Sequence, residues 1–381
     1  MVKRAVSDLT VVGAGPAGRA VAHRAAAAGL SVTLVDPDPS RPWQATYGMY
    51  SDDAPTWLDE SAVAFRSGSF TVFTPGRRVI NRGYLVLDPV KFQQSLTLHG
   101  VDVVTERVRS LTANSVILPN GTELTSRHVI DARGTVGTNP NRPRQTAFGV
   151  FLDPPHNTDC ERGDPETVLM DWRPAEAGLE SMTPPSFSYR IQTANGRLEQ
   201  ETCLAGRPAI GIDELERRAR LRNPAASEDA VVEVVDFPLY GDPRPWKRVS
   251  TGPVRFGATG GLMNPATGYS VAQSLGAADL IVKALLAQED PSGHLWNRQA
   301  RLTYRLRLIG LMVLLTLRPD DLVTFFDAFF TLSAQTQRAY LSAHDDVGGV
   351  LRAMAGVFWR CPTKLKATIT IASARATIRA S

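Results

Sequence analysis

The chain has 381 residues, enough to bury a large core, and its 43% apolar and 21% charged content is that of a globular protein rather than a fibrous or disordered one. The formal charge of +4 comes from arginine, since lysine is rare, and the excess is spread thinly in doublets such as Arg77-Arg78 and Arg217-Arg218, which speaks against a nucleic-acid partner. Cys160, Cys203 and Cys361 are odd in number and far apart, so neither a disulfide framework nor a metal site is readable. No run approaches the roughly 20 apolar residues of a membrane-spanning helix.

Met1 to Ser7 carries no apolar leader and runs straight into a strand, which reads as cytoplasmic. Leu9 to Val12 is a short apolar strand. Gly13-Ala14-Gly15-Pro16-Ala17-Gly18 follows, then an Ala-rich helix to about Ala28, a stop at Gly29 and a second strand from Ser31 to Val35. Asp88-Pro89 opens another helix, expected to run to Leu98, with Asp as N-cap and Pro at the first helical position. Strands are expected at Val101–Thr105, Ser115–Leu118 with an Asn120-Gly121 turn, and His128–Ile130. From Arg144 to Val254 the pattern is mostly short strands: Phe148–Leu152, Thr167–Met170, Ser186–Ile191 and Val231–Val235. A separate sheet is expected there. From Ser270 to about Ala355 helical periodicity dominates. The apolar segment Leu308–Leu317, flanked by Arg305, Arg307 and Arg318, reads as a core helix, with contact at a membrane surface as the alternative.

The glycine pattern sits between a strand and a helix, and Asp36 ends the second strand. That context makes it a dinucleotide-binding fingerprint. Gly13 permits the tight turn, Gly15 lets the backbone approach a pyrophosphate, and Gly18 lets helix and strand pack closely. The first helical residues, Pro16 and Ala17, present a helix N-terminus to the phosphates, and Asp36 would accept from a ribose hydroxyl.

Two later segments carry a resemblance. Ile130-Asp131-Ala132-Arg133-Gly134 resembles the segment with which flavoproteins of the glutathione-reductase and hydroxylase type close the adenine side of FAD. Phe256-Gly257-Ala258-Thr259-Gly260-Gly261, leading through Leu262, Met263, Asn264, Pro265 and Gly268 into a helix, resembles their third FAD segment. Hydroxylases of this kind usually carry Gly-Asp where this chain has Gly257-Ala258. There is no second strand-linked glycine fingerprint, so electrons come from an external reductant or are not consumed. The fold implied is α/β: a Rossmann-type FAD domain in two parts, 1–145 and 251–290, an inserted antiparallel substrate sheet at 146–250, and a helical region at 291–381.

A narrower resemblance follows. GATGGLMNPATGYSVAQSL from Gly257 to Leu275 is similar to the flavoprotein lycopene β-cyclases of bacteria and plants. So are WQATYGMY (Trp43–Tyr50), Arg82-Gly83-Tyr84, Met170-Asp171-Trp172-Arg173, ETCLAGRP (Glu201–Pro208) and Phe325–Phe330. The resemblance implies reduced FAD as the working cofactor and Arg82 among its contacts. It implies a hydrophobic linear polyene or terpenoid substrate, and a reaction without net redox change in which proton addition starts ring closure through a carbocation. The alternative on the same fold is a monooxygenase or prenyl-chain reductase. The family's acidic motif, Phe-Leu-Glu-Glu-Thr, reads Leu198-Glu199-Gln200-Glu201-Thr202 here. The first Glu, the essential one, is Gln200, so the acid role passes to Glu201, with Glu199 or the flavin as alternatives. Glu199 and Glu201 share one strand face and Gln200 takes the other. Asp171 is a third candidate acid, and the rings of Trp43, Tyr47 and Tyr50 are candidates for facing a cation. Asn264 stands where the family often has His.

Overall fold

A computed structural model describes residues 6–135, 141–152, 166–174, 184–224, 226–227, 229–241, 244–247 and 252–380; Cys160 and the first five residues lie outside these. Five parallel strands run in the order Val101–Thr105, Val32–Asp36, Ser7–Val12, Glu123–Asp131 and Val254–Arg255. Alternation along them sorts the side chains. Leu9, Val11, Leu34 and Ile130 pack under the helices Pro16–Ala27 and Val271–Leu286, while Val12, Val35 and Val129 face Val116, Leu118 and Leu124 of the adjoining hairpin. The first helix is built of small residues, with Ala20, Val21, Ala22 and Ala25 fully buried, so it lies close to both sheet and partner helix.

The second sheet is mixed and seven-stranded. Its order is Val232–Pro238, Arg144–Leu152, Gly196–Gly206, Phe187–Thr193, Val168–Asp171, Phe70–Phe73 and Arg77–Ile80. Its last two strands come from residues 70–80, for which the sequence pattern gave no strand. A small third sheet joins Tyr47–Tyr50, Tyr84–Leu87 and Val63–Ser67. The helix Ile212–Arg222 covers one face of the second sheet through Leu215 and Ala219, packed on Phe148, Val150 and Cys203. That helix was absent from the strand-like reading of 144–254. Asp213 and Glu214 in its first turn and Arg220 and Arg222 in its last are the charges a helix dipole favours.

The helix at Pro89 ends at Ser95 rather than Leu98, and the carbonyls of Leu96 and Thr97 are taken up by Arg19 and His23 of the first helix. At the other end, helices continue to Ala380. Pro362 separates Val347–Arg360 from Thr363–Ala380, which buries Leu365, Ala372 and Ala376 along one stripe. Leu308–Leu317 falls in the core as expected for its apolar face, with Gly310, Leu311, Val313 and Leu314 buried. The flanking Arg307 is buried too, donating to the carbonyls of Ala339, Tyr340 and Ala343.

Candidate active site

The three fingerprint segments converge at the N-terminus of the first helix. Gly13 has φ +107°, and a Cβ there would stand 2.7 Å from the Ala132 carbonyl oxygen. The Asp131–Gly134 segment therefore lies directly over the turn. A Cβ on Gly18 would meet the Gly13 carbonyl oxygen at 2.0 Å, whereas one on Gly15 would meet nothing within 4 Å. Gly15 thus borders open space at the N-terminus of a helix whose first N–H groups have no side-chain cap. Gly257 approaches Ala17, and the Phe256 N–H donates to the Asp131 carbonyl, which joins the third segment to the other two.

Asp36 accepts from the N–H of Ala14 at 2.8 Å and from that of Asp38 at 2.8 Å, which fixes its carboxylate beside the glycine loop with acceptor capacity to spare. Asp131 is held by a two-pronged pair with Arg133 at 2.8 and 2.9 Å, and Gly134 borders open space. Leu262 and Met263 are buried, Leu262 within the core of the nucleotide domain. Asn264 donates to the carbonyls of Tyr340 and Leu341, both at 3.0 Å, and accepts from the Ala266 N–H. Its side chain ties the third segment to the C-terminal end of the helix Ala334–Leu341. Arg82 is bound to Asp52, Asp53 and Ser342 and stacks 3.7 Å over the Tyr50 ring; its Nη1 is buried without a partner.

A cluster of four tyrosines lies beyond Arg82. Tyr50 packs against Tyr84 and Tyr269, and the Tyr84 and Tyr189 hydroxyls are 3.0 Å apart. Burial pushes all four phenols above their ordinary value, so they are neutral hydroxyl groups. Trp43 and Tyr47 instead pack with Phe92 in the nucleotide-domain core.

The three acidic residues expected to supply a proton are acceptors in ion pairs. Glu201 is 3% exposed; Ser186 donates to one oxygen at 2.6 Å and Arg222 to the other at 2.9 Å. Arg218 donates in turn to Ser186, so the serine proton points at Glu201. Glu199 is buried and paired with Arg197. Asp171 is fully buried and accepts from Arg173 and Arg190. Burial pushes its carboxyl up, but the hydrogen bonds from Arg173 and the charge of Arg190 outweigh that and hold it below the usual range. In this arrangement each of the three buried carboxylates is an acceptor from at least one arginine.

Glu199, Glu201 and Cys203 share the face covered by the helix Ile212–Arg222, and Gln200 takes the opposite one. Tyr84 and Tyr269 fall inside the family-like motifs without a role read for them, and Tyr189 and Glu233 fall outside those motifs. The last had a signal, a lone carboxylate inside the apolar run Val231–Val235.

A three-segment nucleotide site on a parallel sheet, with a mixed sheet and a helical region beside it, defines the class: the fold of the FAD-dependent oxidoreductases and monooxygenases. Solved structures of this fold include a geranylgeranyl bacteriochlorophyll reductase-like protein from Thermoplasma acidophilum, with TM-score 0.65, 16% identity, and coverage of 95% of this chain and 99% of that one. The halogenase PltM in complex with phloroglucinol and FAD matches with TM-score 0.56, 11% identity, and coverage of 97% and 91%. A family model described as "Lycopene cyclase protein" matches residues 8–365, and the chain belongs to that family. It is similar to an uncharacterized carotenoid cyclase of Deinococcus radiodurans, at 31% identity over 93% of this chain and 90% of that protein. It is 29% identical to a chloroplastic lycopene beta cyclase of an Oncidium hybrid cultivar, over 88% of this chain and 78% of the other. A chloroplastic neoxanthin synthase of Solanum lycopersicum matches at 26% identity over 89% and 75%.

Proposed function

We propose that this protein is an FADH2-dependent cyclase that converts a linear polyene terpenoid, lycopene or another polyprenyl chain, into a ring-bearing isomer without net redox change. Open space at Gly15 and the bare helix N-terminus suit the pyrophosphate of FAD, with Pro16 and Ala17 opening that helix, and Asp36 placed for a ribose. Asp131, Gly134, Gly257, Gly261 and the backbone from Leu262 to Asn264 would complete the cofactor's surroundings, and Arg82 would reach it through its unpartnered Nη1. When bound and reduced by an external reductant, FAD would supply an electron-rich surface that tolerates a nearby carbocation. On this reading 1–145 and 251–290 hold the cofactor, 146–250 carries the substrate-facing sheet, and 291–381 encloses the apolar chain.

The observation that carries the substrate class is an apolar pocket, part of it open to solvent. It begins at Ala266 and Thr267 of the third segment and continues between Val313, Phe326, Phe329 and Val357 of the C-terminal helices. A hydrocarbon chain can lie there with its end at the flavin segment, whereas a polar aromatic substrate would find few partners. Among the described residues no helix is long and apolar enough to cross a membrane. Trp359 is 70% exposed beside the pocket-lining Phe358, with Lys366 over its ring at 5.6 Å. That patch supports peripheral contact with a lipid surface, where such a substrate dissolves.

Anaerobic incubation with reduced FAD and a panel of linear polyenes tests the reading. The expected product has the mass of its substrate and a changed retention, with no stoichiometric loss of reductant. A gain of two hydrogens, or oxygen-dependent addition of an oxygen atom, overturns it in favour of a reductase or a monooxygenase.

A further inference from the structure

Gln200 lies at the centre of a row that crosses four strands. The register pairs Tyr189 with Gln200, Gln200 with Gly149, and Gly149 with Glu233, so all four project from one face of the second sheet. Gly149 adds no side chain to the row. A Cβ there would stand 2.7 Å from Leu198 Cδ1, 3.2 Å from the Cβ of Gln200 and 3.3 Å from its Cγ, so Leu198 and Gln200 close over the glycine. Gln200 and Glu233 therefore flank Gly149 from its two neighbouring strands, two strand spacings or roughly 10 Å apart at the backbone. The same face meets the third flavin segment: a Cβ on Gly268 would meet the Gln145 side-chain oxygen at 2.1 Å and Phe237 at 3.0 Å, and both residues share the parity of Gly149 and Glu233.

Resting on the cyclase reading above, we infer that Glu233 is the acid that delivers the initiating proton, taking over from across Gly149 the place that Gln200 no longer fills. Its environment differs from that of Glu199, Glu201 and Asp171. No arginine or lysine pairs with it among the described residues; it accepts from the Thr46 N–H at 3.2 Å and from the Thr46 hydroxyl at 2.5 Å. The titratable groups facing it are Tyr47 and Tyr189, both neutral, with Arg41 acting on Tyr47. Burial pushes the Glu233 carboxyl above the usual range despite the two bonds from Thr46.

The step balances without a redox partner. The O–H bond of Glu233 breaks and a C–H bond forms at the less substituted carbon of the terminal double bond, leaving a tertiary cation. The electron pair of an internal double bond closes the ring. A proton leaves the carbon beside the new cation and returns to the Glu233 carboxylate, so substrate and product are isomers and the acid is regenerated.

The test compares holoenzyme and Glu233→Gln, with three readings: turnover of linear polyenes under anaerobic reduced FAD, flavin binding, and the infrared carbonyl band of a protonated carboxyl. The expected result is a kcat lower by a factor on the order of 10², with unchanged flavin affinity and loss of a carboxyl band that wild type shows at neutral pH. A kcat within threefold of wild type overturns the inference, as does a wild type without that band. Should Glu233→Gln not fold, the pH profiles of wild type and Glu233→Asp decide. An alkaline limb that moves with the substitution supports the role, and a flat profile in wild type overturns it. A wild type that shows the band yet cyclises no linear polyene refutes the cyclase reading itself, and the proton-donor role with it, which keeps the two failures distinguishable.

Discussion

Replacing Glu201 by alanine removes one half of a buried ion pair and leaves its partner in place. The side chains of Glu201 and Arg222 are 3% and 13% exposed, and Arg222 keeps a second bond, to the Arg173 carbonyl at 3.0 Å. Ser186 loses its acceptor while Arg218 still donates to it. Breaking a buried pair from one side costs about 3–5 kcal/mol. The slight exposure of Arg222 and its remaining carbonyl bond put this site at the lower end, about 3 kcal/mol. Glu201→Gln keeps one acceptor oxygen, for Ser186 or Arg222 but not both, and turns an amide NH2 toward the other donor, so about 1–3 kcal/mol is expected. Urea unfolding followed by tryptophan fluorescence measures both, since Trp172 lines the same pocket as Glu201. Turnover per folded molecule should stay within a few-fold of wild type. A stability change under about 1 kcal/mol together with a 100-fold fall in kcat would refute this reasoning and return the acid role to Glu201.

Gly15→Trp should fold, because nothing lies within 4 Å of a Cβ at that position, yet purify without flavin absorbance; a variant with wild-type flavin affinity contradicts the nucleotide site. Asn264→Ala strips the Leu341 carbonyl of its Asn264 donor, while the Tyr340 carbonyl keeps Arg307, and should cost on the order of 2 kcal/mol in denaturant unfolding. An unchanged midpoint would show that Asn264 does not hold the C-terminal helices. Asp171 titrates below its unfolded value, so its contribution to stability is complete above the unfolded pKa of about 3.9 and is lost as pH falls through the folded one. Stability measured from pH 5 downward should therefore decline more steeply in wild type than in Asp171→Asn; equal slopes would exclude Asp171 as a source of acid sensitivity.

The sequence alone determined the nucleotide half of this protein, because the constraint there is local. A turn with φ +107° at Gly13, a close approach at Gly18 and an acid at the end of the next strand are contiguous requirements that leave contiguous marks. The family motifs likewise pointed to partners that the fold joins. Trp172 stacks on Phe326, and Asp327 of the Phe-rich helix accepts from Thr74 and Arg78. Parity along one strand could be read as well, which separated Gln200 from Glu199 and Glu201 before any sheet was known. Which face the helix Ile212–Arg222 would cover could not, since that depends on packing between segments distant in the chain. Only the tertiary structure decided that the retained Glu201 pairs with Arg222 of that helix and Glu199 with Arg197. Only the register of four strands from three stretches of sequence set Glu233 across Gly149 from Gln200. A carboxylate's role depends on what surrounds it once water is excluded, and its surroundings are assembled by long-range pairing rather than by its neighbours in the sequence.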